Sequence, residues 1–375
     1  MKLQSVRVRN FKAIVDSRVV KLGGLTAFIG NNGAGKSSLI EGLETYQAIV
    51  RDGLDVAMQR WLGMEHVRHK RQTGLVRDGV RANPIGFDLR LGDSPRKSAR
   101  LTMELNQEAS GDHIGVAVEQ VIDVDGTATE RDQVGAASSY GYGRSMLSAP
   151  LPEHEALAQH VLGWQFLTLS PERMGMPVPQ QRTRGSVRLA RDGSNVADFL
   201  LDLRQRDLVA FEGIVQNMAF VLPYAQDIQP SLTSSEIERQ AWLQLTEAGF
   251  KVPGWLMSSG TLRLLALLGL LRDPTPPPLI VVEEIENGLD PRSIHLIVEE
   301  IRNAVLNGIT QVVLTTHSPY LLDLLTLDHL IVVERDSSGQ PRFIRPAEKE
   351  ELKRWAQEFA PGALYTMGNL TGLKP

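Results

Sequence analysis

Apolar and polar residues alternate along the first thirty residues in the pattern of β-strands. The alternation covers residues 5–8, 18–22 and 25–29, and the third run leads directly into a glycine-rich stretch. Apolar residues then recur every three or four positions from 37 to about 50, which is the spacing of a buried helix face. The pattern therefore predicts a strand, a tight loop and a helix in this order.

The central part of the chain combines strand-like and helix-like patterns. Three alternating runs separated by turn residues predict an antiparallel meander at 85–91, 100–105 and 115–124. Apolar residues at helical spacing predict three helices at 153–162, 195–220 and 235–248. Because none of these sustains heptads, we do not expect a coiled-coil arm. We predict a β subdomain followed by an inserted helical subdomain.

The last third of the chain has the pattern of a buried parallel sheet. Two short, wholly apolar runs suit fully buried parallel strands, at 279–282 and 311–314. The other elements predicted here are helices at 262–271, 292–305 and 348–359 and strands at 330–333 and 342–345. The whole pattern predicts an α/β fold with a parallel core sheet and an N-terminal antiparallel β subdomain. We expect one composite domain with parts at 1–150, 151–255 and 256–375.

Composition and charge exclude several classes of protein. The chain has 375 residues, 42% hydrophobic and 22% charged, with a formal net charge of −4, so neither a disordered chain nor a wholly basic coat protein is expected. The absence of cysteine excludes disulfides and cysteine-based zinc sites. The N-terminus is too charged for a signal peptide, and the longest apolar run, 264–271, is too short to span a bilayer. We expect a cytoplasmic protein with no membrane partner.

The glycine-rich stretch carries the most specific chemical motif. Residues 30–37 read Gly-Asn-Asn-Gly-Ala-Gly-Lys-Ser and match the phosphate-binding pattern G-x-x-x-x-G-K-[ST] between a predicted strand and a predicted helix. In such a loop the backbone N–H groups surround a phosphate, the lysine contacts its oxygens and the serine hydroxyl binds Mg²⁺. The candidate nucleotide-binding residues are Asn31, Asn32, Gly33, Ala34, Gly35, Lys36, Ser37 and Ser38, and Ser37 is also a candidate metal ligand.

Two adjacent carboxylates end the first strand of the predicted parallel sheet. Glu283 and Glu284 follow the apolar run 279–282, and neighbouring strand residues point to opposite faces, so the two side chains cannot serve the same purpose. One could support Mg²⁺ while the other orients or deprotonates an attacking water molecule. Without the glycine-rich loop upstream, a solvated acidic strand end would explain the pair equally well.

Three shorter motifs accompany the carboxylates. Ser258 and Gly260 belong to a Ser-Ser-Gly-Thr turn that opens a helix, which is either a second phosphate site or an ordinary helix cap. Asp290 lies in the Gly-Leu-Asp-Pro segment after the carboxylates. His317 follows the next strand in Thr-Thr-His-Ser-Pro, where a histidine could sense a γ-phosphate, although a lone histidine is more often structural.

The order of these motifs resembles the ABC-type ATPases of the RecF/SMC/OLD branch. The motifs that carry the resemblance are GNNGAGKSS, SSGT, LIVVEEIENGLDP and TTHSP, together with the opening Arg9-Asn10-Phe11-Lys12. They cover about 1–50 and 255–335. The segments 328–335 and 367–370 further resemble stand-alone ATPases of bacterial defence loci. The resemblance implies an ABC-ATPase head.

The resemblance also implies a role for each motif residue. It makes 30–38 the Walker A loop, Ser258 and Gly260 part of the signature, Glu283 the Walker B metal carboxylate, Glu284 the catalytic base, Asp290 the D-loop acid and His317 the switch histidine. Three features depart from the family pattern. Glu283 replaces the usual aspartate, the signature reads MSSGT, and no motif places the Q-loop glutamine, for which Gln165 is the candidate as a further metal ligand.

The resemblance implies ATP and Mg²⁺ as cofactors and a homodimer in which the signature of one subunit covers the ATP of the other. No guanine-reading Asn-Lys-x-Asp motif is present, and a transporter ATPase is a less favoured alternative. Only 58 residues follow His317, so we expect any nuclease or toxin to be a separately encoded effector protein. The expected function is an ATP-hydrolysing dimeric switch that regulates such an effector in antiphage defence. The alternatives are a RecF-like DNA-binding clamp in DNA repair and a low-turnover ATP-sensing scaffold.

One local feature favours DNA binding. Residues 60–100 carry ten Lys or Arg and four Asp or Glu, a net charge of +6. Such a segment can follow a phosphate backbone, although many solvated faces have the same character. The candidate contacts with double-stranded DNA are Arg68, Lys70 and Arg71.

Overall fold

The computed structural model describes residues 1–70, 76–77, 80–81, 83–94, 96–108, 110–111, 113–131, 142–182, 185–233 and 238–370. The chain forms two compact units, each built from segments distant in sequence. The main segments of the first unit are Met1–Trp164 and Leu327–Lys353, and those of the second are Gln165–Thr326 and Arg354–Asn369. The first boundary between the units lies between Trp164 and Gln165.

Strands and helices are numbered in chain order. The strands are β1 (Lys2–Phe11), β2 (Ile14–Asp16), β3 (Val20–Lys21), β4 (Leu25–Ile29), β5 (Val76–Arg77), β6 (Val80–Arg81), β7 (Ile85–Ser94), β8 (Lys97–Gln107), β9 (Ile114–Ile122), β10 (Ala128–Glu130), β11 (Gln165–Leu167), β12 (Val178–Pro179), β13 (Ala225–Leu232), β14 (Gln240–Glu247), β15 (Phe250–Pro253), β16 (Leu279–Val282), β17 (Gln311–Thr315), β18 (Leu330–Arg335) and β19 (Pro341–Ile344). The α-helices are α1 (Lys36–Asp52), α2 (Leu54–Gln59), α3 (Met64–Val67), α4 (Glu155–Leu162), α5 (Pro171–Met174), α6 (Val196–Arg206), α7 (Leu208–Val221), α8 (Ser259–Arg272), α9 (Pro291–Leu306), α10 (Pro319–Asp323), α11 (Glu350–Trp355) and α12 (Pro361–Thr366).

An antiparallel sheet forms much of the first unit. Its strands lie in the order β10, β9, β8, β7 and β1, and β2 and β3 both pair with β1. Alternate residues point to one buried face, as Leu101, Met103 and Leu105 do along β8. The predicted N-terminal antiparallel β subdomain is therefore confirmed.

A second group of strands in the first unit leads to the glycine-rich stretch. All five residues of β4 are buried, and β4 pairs in parallel with β18, which pairs antiparallel with β19. A strand buried on both faces requires a continuous apolar run, which Leu25–Ile29 supplies apart from Thr26. Because β4 and α1 are both packed in the unit, the intervening loop is held at both ends.

The second unit contains the predicted parallel strands. β16 pairs in parallel with β11 on one side and with β17 on the other, and every residue of β16 and β17 is buried. The registers Val282 opposite Leu314 and Val282 opposite Leu167 align the carboxyl ends of all three strands. The segments that follow these strands therefore leave the sheet at the same edge.

The inserted segment of the second unit is not wholly helical, contrary to the prediction. The predicted helix at 235–248 is wrong, because Gln240–Glu247 forms β14 between the antiparallel neighbours β13 and β15. Ala241, Leu243 and Leu245 are buried at a spacing of two residues, which is the period of a strand. The apolar residues of this segment also suit a helix, but the hydrogen bonds to the two neighbouring strands stabilise the strand conformation.

Two other predicted helices are interrupted. The helix predicted at 195–220 is split into α6 and α7 at Asp207, whose carboxylate accepts a hydrogen bond of 2.9 Å from the N–H of Ala210 and so caps α7. The terminal helix predicted at 348–359 ends at Trp355, and α12 follows it from Pro361. In the part of the chain that the structure describes, no helix is long and apolar enough to cross a membrane.

Buried His160 makes a testable contribution to the pH dependence of stability. Burial and, less strongly, the charged N-terminus lower the pKa of its imidazole from 6.5 to about 4, against the opposing charge of Asp93. As the pH falls from 7 to 5, this imidazole becomes protonated in the unfolded chain but stays mostly neutral in the folded chain. The free energy of unfolding should therefore fall by about 2 kcal/mol because of this residue alone. Urea unfolding at both pH values should show a smaller fall in His160→Phe. His66→Phe, which changes an exposed histidine of the same unit, should behave like the unaltered protein.

Candidate functional site

The phosphate-binding motif folds as a loop whose glycines adopt left-handed backbone angles. Gly30, Gly33 and Gly35 have φ values of 143°, 74° and 116°. A Cβ atom on Gly30 would lie 2.1 Å from the carbonyl oxygen of Val333, and one on Gly35 would lie 2.5 Å from Cγ of Pro341. The conformation and the close packing therefore both require glycine at these two positions.

Lys36 lies across the loop that precedes it. Its ammonium group donates hydrogen bonds to the carbonyl oxygens of Gly30, at 2.6 Å, and Asn31, at 3.1 Å, and the side chain is only 7% exposed. Arg335 donates a further bond of 2.8 Å from Nε to the carbonyl oxygen of Gly33. Loop carbonyl oxygens thus bind cationic side chains of the same unit.

The loop leads directly into the N-terminus of α1. Gly35 occupies the N-cap position and supplies no side-chain cap, while Asn31, Asn32 and Ser37 are exposed. The N-terminus of a helix this long carries a partial positive charge that favours anions. The first unit therefore presents the geometry of a phosphate-binding loop at residues 30–38.

Glu283 lies at the carboxyl end of β16 in the second unit. Its backbone N–H donates to the carbonyl oxygen of Leu167 at 3.0 Å, and its carboxylate accepts a hydrogen bond of 3.3 Å from the hydroxyl of Thr168. The guanidinium of Arg191 lies 3.7 Å from the same oxygen. Thr168 and Arg191 are polar neighbours that the sequence motifs did not indicate, because no fixed spacing joins them to the carboxylates.

Glu284, the second carboxylate, is exposed. Its φ of 49° is left-handed, a conformation that costs a non-glycine residue free energy and often marks a functional site. The N–H of Glu284 donates to the hydroxyl of Thr315 at 2.8 Å, and the side-chain amide of Asn287 donates to its carboxylate. The carboxylates of Glu283 and Glu284 thus accept hydrogen bonds from different residues, Thr168 and Asn287.

The backbone of His317 is joined to the loop that carries Glu284. We call residues 283–290 the acidic loop. The N–H of His317 donates a hydrogen bond of 2.6 Å to Oε1 of Glu286, a residue of this loop that the sequence reasoning did not single out. The structure thus brings His317 together with the acidic loop.

The signature segment also meets the acidic loop. Ser258 caps α8 by accepting a hydrogen bond of 3.1 Å from the N–H of Thr261. A Cβ atom on Gly260 would lie 2.4 Å from the carbonyl oxygen of Gly288, so this close approach requires glycine. Both interpretations of the serine-glycine turn remain compatible with this geometry, because Ser258 caps its helix while the start of that helix is open to solvent.

Two charged groups near these motifs have shifted pKa values. Burial opposes the charge of Asp290, but hydrogen bonds from Ser293 and from the backbone of Arg292 and Ser293 lower its pKa overall. Asp290 thereby caps α9. Burial lowers the pKa of Arg263 on α8, and the charges of Glu284 and Glu286 act in the opposite direction. Arg263 is a second cationic neighbour of the acidic loop that no motif indicated.

Gln165 does not have the surroundings expected of a metal ligand. It is 7% exposed within β11, and its amide donates a hydrogen bond of 2.7 Å to the carbonyl oxygen of Leu189. In the register of the sheet it lies opposite Ile280, two residues before the aligned strand ends. Its side chain therefore stabilises the packing of the second unit, and it is Thr168 and Arg191 that lie beside the Glu283 carboxylate.

The basic segment of the first unit has both buried and exposed members. Arg68 is 3% exposed, so it is not presented to a duplex in this conformation, whereas Lys70 is exposed and Arg71 lies outside the described residues. A cavity of about 580 Å³ is lined by Lys12, His66, Arg68, His69 and Lys70. Its positive lining suits an anion.

The residues proposed for Mg²⁺ supply oxygen ligands but not a complete site. Ser37 offers a hydroxyl and Glu283 a carboxylate, which are the hard oxygen donors that Mg²⁺ prefers. Among the described residues, no cluster of three or more His, Cys, Asp or Glu could hold a metal ion. An Mg²⁺ ion held by either residue would take its remaining ligands from water and nucleotide phosphates.

Comparison with known proteins identifies two family models. Residues 172–323 match a family described as "AAA domain, putative AbiEii toxin, Type IV TA system", and residues 1–46 match an AAA ATPase domain. The Nod factor export ATP-binding protein I of Mesorhizobium japonicum is 32% identical over 166 residues, or 43% of this chain. The chain also spans only 43% of the length of that relative.

Solved structures of SMC head domains share the fold. An SmcHead bound to the C-winged helix domain of ScpA has a TM-score of 0.55 and 13% identity, over 92% of this chain and 97% of the other. A Pyrococcus furiosus Smc head domain with an extended coiled coil, bound to the C-terminal domain of ScpA, has a TM-score of 0.53 and 12% identity, over 95% and 99%. The predicted fold class is thereby confirmed.

The hydrogen bond of Gln165 predicts a structural effect of its removal. Gln165→Leu should lower the free energy of unfolding by about 1–3 kcal/mol, because the buried carbonyl of Leu189 would lose its donor. Urea unfolding followed by circular dichroism measures the change. Gln229→Leu, an exposed glutamine of the same unit, should stay within about 0.5 kcal/mol of the unaltered protein. Equal effects of the two substitutions would contradict the structural assignment.

Proposed function

We propose that this chain, an ABC-type P-loop ATPase of the RecF/SMC branch, binds ATP with Mg²⁺ and hydrolyses it as a nucleotide-driven homodimeric switch. The observation that carries the proposal is the phosphate loop. Left-handed glycines, a lysine folded over the loop and an uncapped helix N-terminus occur together at residues 30–37. This combination is specialised for the β- and γ-phosphates of a nucleotide.

Each motif residue has a role in the proposed reaction. Ser37 and Glu283 would hold Mg²⁺, and the ion would offset the negative charge of the phosphate oxygens. Glu284 orients the attacking water molecule and accepts its proton, while His317 contacts the γ-phosphate. The separate hydrogen-bond partners of Glu283 and Glu284 support this division of roles.

We infer that two copies of the chain share their nucleotides. Ser258 and Gly260 are placed at the start of α8, where backbone N–H groups could bind the phosphates of a nucleotide on a second copy. Binding of ATP would then join the copies, and hydrolysis would separate them.

The process that the switch drives is proposed from two comparisons. The description of the matched AAA domain family names a type IV toxin–antitoxin system, which supports a defence role. The SMC heads of similar fold are bound to ScpA domains, which supports regulation through a partner protein. The similarity to the Nod factor export ATP-binding protein I supports a weaker alternative, in which the partner is a transporter.

Replacement of the proposed base tests the reaction and the dimer together. Glu284→Gln should lower the rate of ATP hydrolysis by about 100-fold or more, because the amide cannot accept the proton of the water molecule. It should retain ATP binding, and sedimentation velocity should show its mass doubling in Mg-ATP. Glu299→Gln changes a partly exposed glutamate of α9 that pairs with Arg302, serves as the matched control and should hydrolyse ATP normally.

Other outcomes distinguish the alternatives. A hydrolysis rate that is independent of protein concentration would argue against the shared site. Unaltered protein that turns over no faster than Glu284→Gln while binding ATP would favour the low-turnover sensing scaffold. Removal of Mg²⁺ by a chelator should abolish hydrolysis in every variant if Ser37 and Glu283 act as proposed.

A second candidate function is an ATP-dependent clamp on double-stranded DNA in repair. The observation that favours it is the basic cavity, together with the net charge of +6 in residues 60–100. Arg68 is buried in this cavity, so Lys70 is the described candidate that a phosphate backbone could reach. Arg71 remains a candidate from the sequence.

Charge reversal at Lys70 tests this candidate. Lys70→Glu should weaken duplex binding in the presence of Mg-ATP and reduce the salt dependence of affinity by about one unit of slope, while sparing hydrolysis. Fluorescence anisotropy of a labelled duplex at several salt concentrations measures both quantities. Lys21→Glu changes an exposed lysine outside the basic segment and should have no effect. Equal losses of duplex affinity in Lys70→Glu and Lys21→Glu would show that Lys70 is not a specific DNA contact.

A further inference from the structure

We infer that Glu286 is a positioning residue that joins the acidic loop to the backbone of His317, so that the proposed base and the proposed γ-phosphate sensor keep a set relative position. The inference rests on the proposed function, because it assigns a role within the same reaction. Neither Glu286 nor its hydrogen bond belongs to the motif residues assigned above.

The first observation is the hydrogen bond itself. Oε1 of Glu286 accepts the N–H of His317 at 2.6 Å, and a carboxylate acceptor makes such a bond shorter and stronger than a neutral one. His317 lies between the buried Thr316 and Ser318, which caps α10. The hydrogen bond therefore fixes His317, the central residue of the segment between β17 and α10.

The second observation is that Glu286 extends a connection already present at the strand ends. The N–H of Glu284 donates to the hydroxyl of Thr315 at 2.8 Å, and that of Ile285 donates to the carbonyl oxygen of Thr315 at 3.3 Å. Both bonds end at the last residue of β17. The bond of Glu286 reaches His317, two residues further along, and so extends the connection beyond the strand.

The third observation is the burial of the Glu286 carboxylate. Its second oxygen, Oε2, is buried and has no hydrogen-bond partner among the described residues. Burying such an oxygen is unfavourable, so a carboxylate at this position needs a compensating purpose. Burial raises the pKa of the Tyr365 phenol, and the charge of Glu286 raises it further. Arg263 is the neighbouring cation that moderates this charge.

The acidic loop transmits this connection to Glu284. The N–H of Asn287 donates to the carbonyl oxygen of Glu284 at 3.1 Å, and that of Leu289 donates to the carbonyl oxygen of Glu286 at 3.0 Å. These short-range bonds hold Glu284 in its left-handed conformation next to Glu286. A displacement of His317 would therefore move the acidic loop, and Glu284 with it.

The test compares substitutions that remove or retain the acceptor. Glu286→Ala removes it, Glu286→Gln retains an oxygen acceptor, and Glu286→Asp shortens the side chain by one methylene group. In Glu286→Ala and Glu286→Asp, kcat should fall about 10- to 100-fold, because a small misplacement of the reacting groups is sufficient for such a loss. The affinity for a non-hydrolysable ATP analogue should stay within about twofold of the unaltered protein, and Gln should restore most of kcat.

Hydrogen exchange supplies a readout that does not depend on hydrolysis. The amide of His317 should exchange about tenfold faster in Glu286→Ala than in the unaltered protein, while Glu286→Gln should protect it. Glu300→Ala is the matched control, because it removes a partly buried carboxylate paired with Arg272 elsewhere in the same unit. It should change stability without changing exchange at His317.

Each outcome supports or overturns the inference. Unchanged exchange at His317 in Glu286→Ala and Glu286→Asp would show that the bond does not hold this segment, and faster exchange with unchanged kcat would show that it does not position the reaction. If Glu286→Ala fails to fold, the exchange at His317 and the kcat of Glu286→Gln are compared with those of Glu286→Asp, and the same outcomes decide. An unaltered protein that lacks hydrolysis would overturn the proposed function instead, and exchange would still show whether the bond exists.

Discussion

The pairing of β16 with its two parallel neighbours is the constraint on which the candidate site of the second unit depends. Because β11, β16 and β17 run in the same direction and end in register, Thr168, Glu283 and Thr315 emerge at one edge of the sheet. The hydroxyl of Thr168 bonds to Glu283, and that of Thr315 bonds to the next residue of the acidic loop. Every residue of β16 beneath them is buried, so the apolar core determines where the polar groups lie.

The first unit positions its phosphate loop by a different constraint. β4 is buried on both faces and α1 is packed on the unit, while the loop between them passes close to Val333 and Pro341. Only glycine tolerates both the left-handed angles and these close approaches. At these glycines the loop has backbone atoms in place of side chains. Lys36 follows directly after Gly35 and is the cation nearest to the loop in sequence.

The strand that replaces a predicted helix and the hydrogen bond of Gln165 share one physical origin. The apolar residues of 240–247 suit a helix or a strand, and the neighbours β13 and β15 decided the outcome by providing ladder hydrogen bonds. No motif placed Gln165, and in the structure the carbonyl oxygen of Leu189 accepts a hydrogen bond from its amide. In both cases the deciding partner belongs to another part of the chain, so local spacing carries no information about it.

The sequence by itself determined the α/β class, the phosphate loop, the strand that delivers two carboxylates and the order of the motifs. These features depend on local periodicity and on residues whose geometry is intrinsic, such as glycine at left-handed angles. Only the tertiary structure decided which polar groups meet: Thr168 with Glu283, Glu286 with the backbone of His317, and Gly260 with Gly288. Such contacts join residues that are distant in the chain, and the packing of buried strands and helices alone brings them within hydrogen-bond distance.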